Sequence, residues 1–67
     1  MSAIVEAFEN ATPQRKASAL RATGLSATTL RLMRPQYTAP WVRRELAEAL
    51  GRPERELFPT FTGADRP

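Results

Sequence analysis

The stretch Gly24-Leu25-Ser26-Ala27-Thr28-Thr29-Leu30-Arg31-Leu32-Met33-Arg34 decides the fold, because it holds a helix stop, a helix start and a two-sided helix within eleven residues. Gly24 takes a positive φ at no steric cost and can end one helix, and the Ser26 hydroxyl can accept from the free amides of the next. Leu25 just before that cap and Leu30 four residues after it have the spacing of a hydrophobic staple, which fixes the entry angle of the chain. A tight turn between two helices is expected here, with the later helix running from Ser26 to about Arg34. Pro35 stops it, since a proline drives the residue before it out of the α region. Leu30 and Met33 fall on the inner side, and Ala27, Thr28 and Arg31 fall together on the outer one. Small residues at the helix start permit close approach, and a guanidinium one turn later can grip guanine O6 and N7, so this face suits a DNA major groove.

Working outward, helical spacing continues in both directions. Ile4, Val5 and Phe8 form an apolar stripe on a first helix from Ser2 to about Ala11, with Glu6 and Glu9 outside it. Thr12-Pro13 is a cap followed by a proline in the first turn, and opens a second helix that runs to Thr23. After the opening stretch, Gln36 to Ala39 reads as a connector. Pro40 then opens a fourth helix to about Leu50, whose Val42, Leu46, Ala49 and Leu50 share one face, and Gly51 ends it. Pro53 to Phe58 forms a last short helix with acids in its first turn, and Leu57 and Phe58 as plugs for the core. From Thr60 onward periodicity is lost, so residues 1–59 are expected to be the folded domain and 60–67 a mobile tail in which only Phe61 has an anchor to offer. Alternation of period two is absent. The expected class is all-α, a compact bundle of five helices with a helix-turn-helix at the second and third.

Composition narrows the possible chemistry. The 67 residues make one small domain that buries only about 60% of its unfolded surface. With no Cys and no His, neither a disulfide framework nor a thiolate or imidazole metal site can brace it, and nucleophile or acid-base catalysis would fall to carboxylates or the single Lys16. No enzymatic role, cofactor or small-molecule ligand is therefore expected. No apolar run is long enough for a membrane span, and the first residues lack a basic-then-apolar leader, which points to the cytoplasm. Net charge is only +3, yet the seven basic residues Arg15, Lys16, Arg21, Arg31, Arg34, Arg43 and Arg44 fall between Asn10 and Arg44 with no acid among them. A basic middle between acidic flanks is what phosphate contact calls for, with a solvated basic surface as the alternative. Arg15 and Lys16 lie in the first turn of their helix, where the dipole disfavours cations. They fit either a helix end that meets an anion or simple solvation.

The Gly24-Leu25-Ser26 turn, Pro40 ahead of Leu46-Ala47-Glu48-Ala49-Leu50-Gly51, and Glu56-Leu57-Phe58-Pro59 together resemble the Cro and phage-repressor (lambda-repressor-like) family of helix-turn-helix DNA-binding domains over about residues 2–59. The resemblance implies a third helix laid in the major groove, and a homodimer on a two-fold double-stranded operator. It places Ala27, Thr28, Arg31 and Leu32 among base-reading positions. It places Arg15, Lys16, Thr29, Tyr37, Thr38, Trp41 and Arg43 against phosphate. Trp41 can equally cover the core, and Leu32 can meet a thymine methyl, pack, or stand exposed. Where the family pairs an Arg on the first helix with a Glu at the end of the recognition helix, this chain has Glu9 and Arg34, so a bridge of reversed polarity is expected. Ala27 and Thr28 stand where the family favours Gln, which shifts specificity toward Arg31 and apolar contact. Ala19-Leu20 reverses the family's order in the second helix and alters how closely the two helices approach.

The function these features imply is that of a Cro-like transcriptional repressor or immunity regulator. One recognition helix offers few base contacts, and two half-sites about 34 Å apart combine their energies. Phe58 and Phe61 are candidates for the dimer surface, with core packing the alternative for Phe58. Two other readings compete: an excisionase-like architectural DNA-binding factor, and a protein-binding adaptor that uses Leu32, Trp41 and Phe61 on a helix-turn-helix scaffold.

Overall fold

The structure, a computed structural model, describes residues 2–59. Its α-helices are α1 (Ala3–Glu9), α2 (Pro13–Thr23), α3 (Ala27–Arg31), α4 (Pro40–Leu50) and α5 (Glu54–Leu57), with a 3-10 turn over Pro35–Tyr37 between α3 and α4. No strand occurs among the described residues, so the all-α class holds. None of these helices is long and apolar enough to cross a membrane.

Each helix begins and ends for a local reason. Ser2 caps α1 by accepting from the Val5 amide, and Thr12 caps α2 by accepting from the Arg15 amide with Pro13 behind it. Gly24 ends α2 at φ 74° and Gly51 ends α4 at φ 68°, both in the left-handed region where a side chain would clash with its own backbone. Ser26, in extended conformation, caps α3 through the Thr29 amide. Pro53 is the residue before α5 rather than its first, and α1 is shorter at both ends than the apolar stripe suggested.

The largest change from the sequence expectation is in α3, which stops at Arg31 instead of Arg34. Arg34 is forced into the extended region (φ −110°, ψ 117°) by Pro35, and the distortion reaches back to Leu32, which closes the helix at φ −97°, ψ 0°. The Leu32 amide is shared between the carbonyls of Thr28 and Thr29, the tightening expected at a helix end.

The core is apolar throughout. Ile4, Val5 and Phe8 from α1, Ala19 from α2, Leu30 from α3, Leu46, Ala47 and Leu50 from α4, and Leu57 with Phe58 from the chain end are buried, and no polar side chain is buried among the described residues. Helix α2 packs most extensively on α4, and the burial of Ala19 and Ala47 shows why: small residues on both helices let the backbones come close. The start of α2 lies beside the end of α4, where Arg15 reaches the Ala49 carbonyl. Phe58 is 1% exposed and is a core residue, which removes it as a dimer contact: at the end of α5 its ring is worth more buried among the apolar side chains than on the surface. Phe61 and the expected tail lie outside the described residues.

Candidate nucleic-acid interface

The turn that presents α3 is braced from both sides. The Gly24 amide donates to the Leu20 carbonyl at 2.8 Å, while the Thr23 hydroxyl donates to the Ala19 carbonyl at 2.8 Å and accepts from the Leu25 amide at 3.3 Å. Thr23 thus ties the end of α2 to the turn, a role the sequence reading missed although a Thr before a left-handed Gly is well placed for it. Leu30 is fully buried and Leu25 half-buried, so the anchor of α3 is hydrophobic and its far side is left to solvent.

On that far side the predicted base-reading residues separate. Thr28 and Arg31 are exposed, and Leu32, the cap of α3, is 74% exposed; their i, i+3, i+4 spacing puts the three on one side of the helix. Ala27 does not join them: it is half-buried and packs against the core, because its position in the first turn faces the bundle. Met33 also packs against the core, as its spacing from Leu30 predicts.

Arg31 is held at one end. Its Nε donates to Glu9 Oε2 of α1, with the two side chains 48% and 34% exposed. The expected Glu9–Arg34 bridge is replaced by Glu9–Arg31, because α3 ends three residues early and Arg34 leaves the helical face. The hydrogen bond from Arg31, joined by the charges of Arg31 and Lys16 and opposed by partial desolvation, holds the Glu9 carboxyl below its ordinary value. The same bond raises the Arg31 guanidinium, which is charged at any pH of interest.

The residues assigned to phosphate fall into two groups. Thr29 is exposed, and its Oγ1 accepts from the Ser26 hydroxyl at 2.9 Å, which leaves the Thr29 proton for another acceptor. Tyr37 is 80% and Trp41 51% exposed, and Trp41 takes no part in the core. Lys16 is half-buried with its ammonium 5.7 Å from the centre of the Phe8 ring, a cation–π contact that lays its stem on α1.

The others are engaged within the chain. Arg15 Nη1 donates to the Ala49 carbonyl at 3.3 Å, so the anion that its place in the first turn of α2 suggested is the carbonyl end of α4. Arg43 Nη1 donates to the Thr38 carbonyl at 2.6 Å and its Nε lies 3.6 Å from Glu54 Oε2, which fastens α4 to the connector and to α5. Thr38 gives its hydroxyl proton to the Arg34 carbonyl at 2.9 Å and its amide to Pro35, leaving it no free donor for phosphate. Arg21, Arg34 and Arg44 are exposed and form no ion pair among the described residues. The sequence counted Arg21 and Arg44 within the basic middle suited to phosphate but assigned neither an individual contact.

Beside α3 a largely apolar cleft of about 250 Å³ is lined by Leu25, Thr29, Met33, Arg34, Tyr37 and Val42 among others. It opens where α3, the 3-10 turn and the start of α4 converge. Comparison of the chain with protein-family models, with curated protein sequences and with solved structures finds no match.

Proposed function

We propose that this chain binds double-stranded DNA in a sequence-specific manner, as a lambda-repressor-like domain and Cro-like transcriptional repressor or immunity regulator of phage or bacterial type, with α3 in the major groove. The observation that carries the reading is the exposed ridge of Thr28, Arg31 and Leu32 on a helix whose start is fixed by a left-handed glycine and a serine cap. Arg31 is the base reader, gripping guanine, and Leu32 is suited to a thymine methyl. Thr29 supplies a hydroxyl donor to phosphate, and Arg21, Arg34 and Arg44 supply charge that no acid among the described residues pairs with. The role is binding rather than catalysis. A homodimer on a two-fold operator follows from the small number of base contacts that a five-residue helix can make, not from any surface described above.

Selection of bound sites from random duplex DNA at 50 and 200 mM salt tests this. A palindromic consensus that repeats at about one helical turn, with binding that weakens steeply in salt, is expected. Arg31→Ala should then cost about tenfold to a hundredfold on the consensus and relax preference at one base pair. Failure to enrich any sequence refutes the proposal.

A second reading draws on a separate observation. Leu32, Tyr37 and Trp41 are the exposed large hydrophobic residues among those described, and the apolar cleft lies among their neighbours, which favours a protein-binding adaptor. Such binding would change little between the two salt concentrations. The excisionase-like alternative draws no support from residues 35–59, where a wing of strands would stand and helices are found.

A further inference from the structure

The contact between α1 and the proposed reading helix has a chemical asymmetry. A guanidinium offers five N–H donors, one on Nε and two on each Nη, and only the Nε of Arg31 is engaged, by Glu9. Nη1 and Nη2, the pair of nitrogens that spans O6 and N7 of a guanine, have no partner among the described residues. Glu9 is the last residue of α1, whose Ile4, Val5 and Phe8 are buried, so its carboxylate is carried by a helix anchored in the core. The long arginine side chain is thereby tied at its fourth side-chain position to a fixed point outside the helix-turn-helix. A tether of that kind removes rotamers that an unheld arginine would have to give up on binding, and leaves the bidentate edge available.

We propose that Glu9 is a positioning residue for Arg31 that sharpens base preference at a single base pair. The inference rests on the DNA-binding reading above. It differs from a general stabilising role, because a carboxylate near DNA repels phosphate: its removal should favour binding to any duplex while degrading choice among sequences. It differs also from a brake on Arg31, because a brake, once released, would raise affinity for the preferred site at least as much as for others.

The experiment compares the wild-type protein with Glu9→Ala and Glu9→Gln, each checked for helical content by circular dichroism, and reads site preference and non-specific affinity on duplex DNA. For Glu9→Ala, preference for G·C at the Arg31 position should fall by about threefold to tenfold, a part of the roughly tenfold to hundredfold that a bidentate arginine confers. Non-specific affinity should rise or hold. Glu9→Gln, whose amide oxygen can still accept from Nε, should recover most of the preference, and in an Arg31→Ala background Glu9→Ala should leave the profile unchanged. Affinities for all sequences that move together, with the profile at that base pair intact, overturn the proposal. If Glu9→Ala fails to fold, Glu9→Met, of similar length but with no oxygen to accept from Nε, takes its place, and a preference at that base pair equal to the wild type's overturns the proposal. Wild-type protein that enriches no sequence removes the DNA reading itself, and this inference with it.

Discussion

Replacing Gly51 by Ala places two separate costs on one position, and Gly24 supplies the control for the first. Both glycines have a positive φ, 68° and 74°, and an alanine held there is disfavoured by about 1 to 2 kcal/mol. Around Gly24 a new Cβ meets nothing within 4 Å, so that strain is the whole native-state effect. At Gly51 the Cβ would lie 2.5 Å from Arg15 Nη1 and 2.9 Å from its Cζ, too close for any real contact. The guanidinium is the far end of a flexible side chain and will swing away. It then loses its hydrogen bond to the Ala49 carbonyl and its place at the negative end of α4, together about 1 kcal/mol. The gain from a stiffer unfolded chain is common to both glycines and cancels in the comparison. Gly51→Ala should therefore melt about 4 to 8 °C below Gly24→Ala, the shift that 1 kcal/mol produces in a domain of this size. Thermal unfolding by circular dichroism of Gly24→Ala, Gly51→Ala, Arg15→Ala and the double variant Arg15→Ala/Gly51→Ala measures it. In the Arg15→Ala background, Gly51→Ala should cost no more than Gly24→Ala does in the wild type. Equal melting points for the two single glycine variants, or strict additivity of the Arg15 and Gly51 effects, would refute the assignment of Arg15 as the cap of α4.

Ser26→Ala removes the acceptor for the Thr29 amide and should lower stability by about 1 kcal/mol in urea unfolding, whereas Ser26→Asp should restore it. The Glu9 carboxyl, followed by NMR, should titrate below its ordinary value of 4.5 in the wild type and move upward in Arg31→Ala, which removes the largest cause of the lowering. Because the folded-state value is the lowered one, the pair favours the native state above the unfolded-chain value and loses that contribution as pH falls through the folded one; a stability curve rising with acid in that window would contradict the pairing. Lys16→Ala should weaken binding to all duplexes about equally and make the salt dependence shallower, and a change in base preference instead would mean that α2 lies elsewhere on the DNA.

The sequence made the helices and their caps legible because each depends on neighbours in the chain. Thr12, Gly24, Ser26 and Gly51 act within four residues of themselves, and the apolar spacing of Ile4, Val5, Phe8, Leu30, Leu46 and Leu50 identified most of the core. What was not legible is set by contacts between distant residues. Glu9 could be expected to pair, but choosing Arg31 over Arg34 required knowing that the effect of Pro35 extends back to Leu32. Arg15 was read against the dipole of its own helix, and only the approach of the end of α4 reveals the carbonyl that satisfies it. Ala27 has the composition of an outward residue, and nothing local says that the bundle covers it. For the candidate site, the exposed ridge was anticipated in part, and the division of the cations into engaged and unengaged was not.

The brevity of α3 carries a consequence for temperature. A single turn and a half of helix has almost no tendency to form alone in water, so its shape is lent to it by Leu30 in the core and by the Ser26 and Thr23 bonds at its entry. Warming that loosens the bundle dismantles the proposed reading surface in the same event, so on that reading fold and recognition are lost together. Heat-sensitive substitutions would map across the whole interior, and any loss of the proposed DNA binding would share one midpoint with the loss of structure.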